Sequence, residues 1–499
     1  MKYYFQLFCS IISIFFLIIT INFDSRLLKK RVQRHTHYPS KTIHETEDIS
    51  QPIPWYKKSA DELFKKKSLQ RPKFLSISSN HCQLYKYPNN TSKNQNLLPK
   101  RQRMSIAFLK THKCASSLIQ KIFTNWMKKN GINRKPARFG PWIGGYPGKF
   151  NYGISRTSEN VSLEETGSII NHMVWNLPEL RKSFSLPVSE TQPQKRVEKD
   201  FFRIGLIRNP MSQYISTFNF YFGQRPIQKF NDTSACMGEP WQQILGGLKN
   251  VEQSKFESSM NPVSMNIGSF FDKINLNSDQ IPTAFKNAFW GFRAMNYMSA
   301  DFGLDWKNPI SVEEIEKRVQ EFDVIIILER LIESLILVKN LLCMDMTDIV
   351  LENLKCGRCS HNQTMADEIK RLATDENLSK PVVYQSLSSD KLEKYNLTSG
   401  QATLIEKNLN FNDIKLYNAV GRKFEEDMKV FGYDRMKEEL LEFSQVTGEF
   451  LKANKPVRKR RSTETEENDV SENLNSDPVL KFDGKLARYM IEHGEGFCG

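Results

Sequence analysis

Two short segments carry the residues best suited to chemistry. The first is Lys110-Thr-His-Lys-Cys-Ala-Ser-Ser117, which follows an apolar run at 105–109 and precedes a stretch with helical spacing through Leu118, Ile122 and Trp126. Backbone N–H groups at a helix N-terminus are unpaired and partly positive, so an anion sits well there. Ser116 and Ser117 add hydroxyl donors, and Lys113 adds a mobile cation. Together they can make a phosphate cradle; an ordinary turn from strand to helix is the other reading. The glycines of a Walker A loop are missing, which excludes that nucleotide-binding class. The second segment is Arg208-Asn-Pro-Met-Ser-Gln-Tyr-Ile-Ser216, after an apolar run at 202–207. Arg208 stands at the carboxyl end of that run, where open α/β sheets bind ligands. Ser216 lies two turns into the next helix and returns towards the same crevice. A guanidinium and a hydroxyl so placed can bind a second, separate phosphate; a turn arginine and an indifferent helix serine is the other reading.

These groups need strands that deliver them and helices that hold them. Apolar runs at 105–109, 168–174, 202–207 and 322–328 read as buried strands. Helical patterns follow at 117–129, 211–222 and 332–342. Continuous apolar strands that each lead into a helix predict an α/β domain with a parallel sheet flanked by helices.

On these same residues the chain resembles a known family. Phe108-Leu-Lys-Thr-His-Lys-Cys-Ala-Ser-Ser117 is similar to the 5′-phosphosulfate loop of the galactose-3-O-sulfotransferases, which include galactosylceramide sulfotransferase; Cys114 stands where that family has Thr. Ile207-Arg-Asn-Pro-Met-Ser-Gln-Tyr-Ile-Ser216 resembles its 3′-phosphate segment. The stretch 322–343 and Asp413-Ile-Lys-Leu-Tyr417 resemble later parts of the same domain. The resemblance covers roughly 104–433 and implies a sulfotransferase fold on a P-loop-like parallel sheet, using the donor 3′-phosphoadenylyl sulfate (PAPS) without a metal. It implies that Lys110, Thr111, His112, Lys113, Cys114, Ala115, Ser116 and Ser117 hold the 5′ side of the donor, and Arg208 and Ser216 its 3′-phosphate. Lys113 is the expected catalytic cation at the leaving oxygen.

A sugar hydroxyl is a weak nucleophile, so a general base is expected. His172, in Ile169-Ile-Asn-His-Met-Val-Trp175, is the first candidate; that segment resembles the family's His-rich strand end, with Val174 where Arg is usual. His112 and Glu329 are the alternatives. In the Gly- and aromatic-rich loop 140–152, Trp142, Tyr146 and Tyr152 are candidates to stack on the acceptor sugar; turn chemistry alone is the other reading.

The ends of the chain bear on location. Residues 3–23 form an uncharged apolar run long enough to cross a bilayer. No small-x-small cleavage site follows, so an uncleaved signal anchor is expected. Arg26, Lys29, Lys30, Arg31 and Arg34 follow the run, which on the positive-inside rule would keep the rest of the chain cytosolic. Sequons at Asn89, Asn90, Asn160, Asn231, Asn362, Asn377 and Asn396 argue for the lumen instead. The expected order is a cytoplasmic end at 1–2, a transmembrane anchor at 3–23, a stem at 24–100, a lumenal sulfotransferase domain at 101–450 and a charged tail at 451–499. That order is the one expected of a single-pass type II Golgi membrane protein. Its net charge of +15 is concentrated in the stem, and no nucleic-acid partner is expected. Of its 8 cysteines, Cys82, Cys236, Cys343, Cys356, Cys359 and Cys498 are available for disulfides; Cys356-Gly-Arg-Cys359 reads as part of a disulfide, half a zinc site or a redox pair. Arg458-Lys-Arg-Arg461 resembles a proprotein convertase site and equally reads as a solvated basic cluster.

The expected acceptor is a galactose-terminated glycolipid or glycoprotein. The competing readings are a glycosaminoglycan sulfotransferase and a non-catalytic Golgi glycan-binding protein on the same fold, the latter kept open by Cys114 and Val174.

Overall fold

The structure is a computed structural model. It describes residues 105–134, 142–155, 168–187, 196–198, 201–223, 241, 266–274, 279–288, 290–350 and 365–453. The expected anchor at 3–23, the stem, the tail beyond 453, the basic cluster at 458–461 and the sequons Asn89, Asn90, Asn160, Asn231 and Asn362 lie outside the described residues. Among the described residues, no helix is long and apolar enough to cross a membrane.

The core is a four-stranded parallel sheet. Strands β1 (Ile106–Phe108), β2 (Ser168–Ile169), β5 (Phe202–Ile207) and β6 (Val324–Ile327) lie in the order β2-β1-β5-β6. A separate antiparallel pair, β3 (Ser185–Pro187) and β4 (Arg196–Glu198), lies between β2 and β5 in the chain. Ile106 pairs with Ser168 on one side and Phe202 on the other, and Ile204 with Val324. Parallel strands require crossovers, which helices supply. The buried apolar runs of β1, β5 and β6 fit a sheet covered on both faces.

Helix α1 (Ser116–Lys129) buries Ile119, Ile122, Phe123, Trp126 and Met127, a stripe of one helical face. Lys128 and Lys129 end it, which suits the negative end of its dipole; Lys129 also pairs with Asp345 and Asp348. Helix α2 (Pro210–Phe218) has Pro210 in its first turn, and the Asn209 side chain accepts from Ser212 N–H. It passes at Asn219–Gly223 into a wider π-helical turn, where a regular helix through Phe222 was expected. The short helix α3 (Tyr297–Asp301), α4 (Leu331–Leu342), α5 (Phe411–Phe431) and α6 (Tyr433–Ala453) complete what the site requires.

The strand expected at 168–174 is shorter. After Ile169 the chain leaves β1 and pairs with the Gly- and aromatic-rich loop: Ile143 N–H donates to the His172 carbonyl and Phe150 N–H to that of Val174. The run stays apolar because it remains buried, not because it remains in the sheet.

The strand order has a functional consequence. From β1 the chain steps to β2 on one side and later to β5 and β6 on the other. The carboxyl ends of β1 and β5 therefore flank a topological switch point, where open α/β sheets leave a crevice.

Candidate active site

The loop after β1 turns sharply. Lys113 and Ala115 both have left-handed backbone, with φ of 60° and 59°. Non-glycine residues held there carry of order 1 kcal/mol of strain or more, and such strain gathers at functional sites. Left-handed residues alternating with an ordinary one make a concave row of N–H groups, a nest for anions. No described side chain caps α1, so its first N–H groups remain available. Thr111 Oγ1 donates to the Leu206 carbonyl at 2.5 Å and pins the loop to β5.

Arg208, at the end of β5, donates to the Lys113 carbonyl at 3.2 Å. Lys113 and Arg208 then line one cavity of about 240 Å³, together with Ser212, Ile215, Ser216, Asn219, Phe220 and Tyr395. Two cations and four polar side chains line it, with no carboxylate among its lining residues. The Lys113 ammonium rests 3.7 Å from the centre of the Phe220 ring. Burial, and then the Arg208 charge, lower its pKa. Ser212, Ser216 and Asn219 repeat at helical spacing along one face of α2 and its continuation. That spacing was available in the sequence once Ser216 had been singled out; Tyr395, from a distant segment, left no such signal.

The other residues of the 110–117 loop are not among those that line this cavity. Ser116 is buried and Ser117 exposed at the start of α1. Cys114 is fully buried and free, and its thiol donates to the His112 carbonyl at 3.3 Å. Burial pushes that thiol well up, so it stays neutral. A hydroxyl can make the same bond, so Cys in place of Thr leaves the cradle's backbone intact. Lys110 lies outside the cavity lining.

A second cluster lies behind the loop. His172 Nδ1 bonds the Lys110 carbonyl at 2.6 Å. A carbonyl only accepts, so the proton sits on Nδ1 and the Nε2 lone pair is available. His112 Nδ1 lies 3.0 Å from Asp301 Oδ2, and its backbone N–H donates to the same oxygen at 2.9 Å. The two imidazoles stack at 3.9 Å, and Tyr297 stacks on His112 at 4.9 Å. Burial holds both imidazoles well below the ordinary histidine range. Burial pushes Asp301 up, while the His112 N–H and Arg293 pull it down. His172 is half-buried; His112 is buried.

Tyr146 reaches this cluster, 5.2 Å from His112, with its hydroxyl 3.3 Å from that of Tyr297. Trp142 lies parallel to Tyr146 at 6.1 Å. Tyr152 instead starts a short helix, where its N–H donates to Glu179. Val174 is buried in the aromatic cluster. Arg293 is one of the cations near His112, and its guanidinium lies 3.9 Å from the Trp290 ring and 4.3 Å from Tyr221. Glu329 accepts from Asn209 N–H at 2.9 Å and from the Tyr417 hydroxyl at 3.2 Å, and so braces the Arg208 turn.

Helix α5 supports both halves from one face. Asp413 accepts from Met298 N–H, Ser299 N–H and Ser299 Oγ, fixing α3 and with it Tyr297 and Asp301. Burial raises its pKa to about 6. Tyr417, one turn later, holds Glu329. The Asp413…Tyr417 spacing in the sequence is that brace.

Cys343 is disulfide-bonded. Asn396 is exposed, while the Asn377 amide donates to the Arg371 carbonyl and Thr374 Oγ1. Among the described residues, no three His, Cys, Asp or Glu side chains converge as a metal site requires.

Residues 100–274 match the sulfotransferase family. The chain is 24% identical over 254 residues to galactose-3-O-sulfotransferase 2 of Mus musculus, covering 49% of this chain and 51% of the relative. It is 26% identical over 257 residues to the Sus scrofa protein of the same name, covering 49% and 50%. To the Homo sapiens one it is 32% identical over 119 residues, covering 23% and 26%. The chain thus spans about half the length of the first curated relatives it matches. No solved structure matches it.

Proposed function

We propose that this chain is a PAPS-dependent carbohydrate sulfotransferase that sulfates a galactose hydroxyl, the 3-OH, on a glycolipid or glycoprotein glycan. One observation carries the reading: Lys113, Arg208 and Ser216, from the two loops at the switch point, face a single carboxylate-free cavity. The residues fit the donor. The nest at Lys113–Ala115 and the open start of α1 suit its 5′ side. Arg208 and Ser216 suit a 3′-phosphate, which separates PAPS from ATP.

The transfer makes a bond from the acceptor oxygen to sulfur and breaks the bond from sulfur to the bridging phosphate oxygen. His172 takes the hydroxyl proton on Nε2. Lys113 stabilises the charge that develops on the departing adenosine bisphosphate. Leaving Phe220 for that anion exchanges a weak cation–π contact for an ion pair. Tyr146 and Trp142, beside the imidazoles, suit the apolar face of a galactose ring.

The donor assignment is tested by calorimetry with adenosine 3′,5′-bisphosphate. Arg208→Ala should weaken binding by about 10- to 100-fold and Ser216→Ala by less, the scale of charged and neutral hydrogen bonds. Unchanged affinity in both variants rejects the site.

We place the domain in the Golgi lumen behind an anchor at 3–23. The disulfide at Cys343 favours an oxidising compartment, and Asn396 is an exposed sequon. Endoglycosidase treatment of the protein from secretory cells should increase its gel mobility. An unglycosylated product overturns this topology.

A further inference from the structure

The loop contains a cation that the donor cavity does not use. Lys110 is 6% exposed, yet it has no hydrogen-bond acceptor and no ion-pair partner among the described residues. Its charged neighbour is another cation, Arg134. A buried ammonium without an anion is costly and uncommon. Its pKa falls to about 8, through burial first and Arg134 second.

The surroundings add further donors. Arg134 gives two hydrogen bonds to Asn171 Oδ1, at 3.2 and 2.6 Å. With its oxygen committed, Asn171 presents only its amide NH₂. That nitrogen is buried without a partner, on a residue 1% exposed. Lys110 and Asn171 are tied together through His172: Asn171 precedes it, and its Nδ1 bonds the Lys110 carbonyl. Arg134 is exposed, so the cluster opens to solvent. An ammonium, a guanidinium and an orphaned amide NH₂ thus gather without a described carboxylate.

We propose that Lys110, Arg134 and Asn171 form an anion subsite, separate from the donor cavity, that takes an acidic group of the acceptor glycan: a carboxylate or sulfate ester on the sugar bearing the reactive hydroxyl or on its neighbour. The donor set suits both anions. The subsite adjoins His172, so the acid is held beside the hydroxyl to be activated. Naming the ligand as acceptor rests on the transferase reading; the anion site itself does not.

The test is equilibrium binding of three matched galactose disaccharides by calorimetry: neutral, 6-O-sulfated and carboxylate-bearing. Each is titrated into the full-length protein, Lys110→Met and Arg134→Met. Adenosine 3′,5′-bisphosphate is titrated into the same proteins. At least one acidic sugar should bind the wild type about tenfold tighter than the neutral one, the scale of charge-assisted hydrogen bonds; which of the two does so identifies the anion. Both variants should remove the preference while leaving bisphosphate affinity within about twofold, because neither side chain lines the donor cavity. Lys110→Met should also raise the melting temperature, since it replaces an unpaired buried charge with an apolar chain. No preference for acid in the wild type overturns the proposal. So does a Lys110→Met variant that loses bisphosphate affinity, which returns the lysine to the donor loop, or one that melts lower, which shows the ammonium already paired. Should the wild type bind acidic sugar but no bisphosphate, the transferase reading fails and the anion subsite stands.

Discussion

Lys113→Ala should lower kcat for sulfuryl transfer by about a thousandfold and leave the melting temperature nearly unchanged. Removing a single group aimed at developing charge costs an active site about 10²–10³ in rate, and here the group is a full cation. The fold loses little. The ammonium is bonded to no described carboxylate and rests only on the exposed ring of Phe220. Alanine is also no worse than lysine at φ of 60°, as Ala115 already adopts that geometry in the same loop. Adenosine bisphosphate affinity should fall less than kcat, because the ground state carries less charge at the bridging oxygen than the transition state. Single-turnover kinetics with labelled PAPS checks the split. A variant with near-normal kcat removes Lys113 from the chemistry.

His172→Ala should reduce transfer by about 10²–10⁴, the range of general acid–base catalysis, with adenosine bisphosphate binding intact. The imidazole does not line the donor cavity, so the two measurements separate. The pH profile carries a sign. Burial lowers the His172 pKa, so the neutral, proton-accepting form persists below the usual histidine range. Wild-type kcat/KM should therefore stay level from neutral pH to well below 6.5, falling only as pH drops through the depressed pKa. A loss of activity centred near 6.5 contradicts this. Retained activity in His172→Ala with loss in His112→Ala assigns the base to the Asp301-bound imidazole instead.

Much of this arrangement was legible in the sequence because it depends on local features. The apolar runs of β1, β5 and β6 and the Arg208-to-Ser216 spacing are set by nearest neighbours and helical period, and the structure places those strands side by side with Lys113, Arg208 and Ser216 at one cavity. The rest depended on distant segments. The run 170–174 reads as strand, yet its partner is the loop 142–150, a pairing no periodicity announces. Asp301, Arg293 and Tyr395 reach the site only through tertiary packing. Cys114 and Val174, as departures from the family pattern, kept open the reading of a chain without turnover. In three dimensions one faces the core and the other packs among aromatics, so neither occupies the donor cavity.

The strand order also governs how this chain must be made. In the sheet, β1 finds both partners far along the chain, with Ile106 against Ser168 and Phe202, and β5 awaits β6, with Ile204 against Val324. Parallel sheets of this kind have high contact order and fold slowly. Synthesis proceeds at about 5–20 residues per second. The apolar stripe of α1 and the strand before it therefore stay uncovered for many seconds, until residue 327 of 499 has emerged. The helix carrying Asp413 and Tyr417 arrives later still. Nascent chains released short of it carry uncovered apolar strands and an anion loop without its brace, which makes them targets for folding quality control.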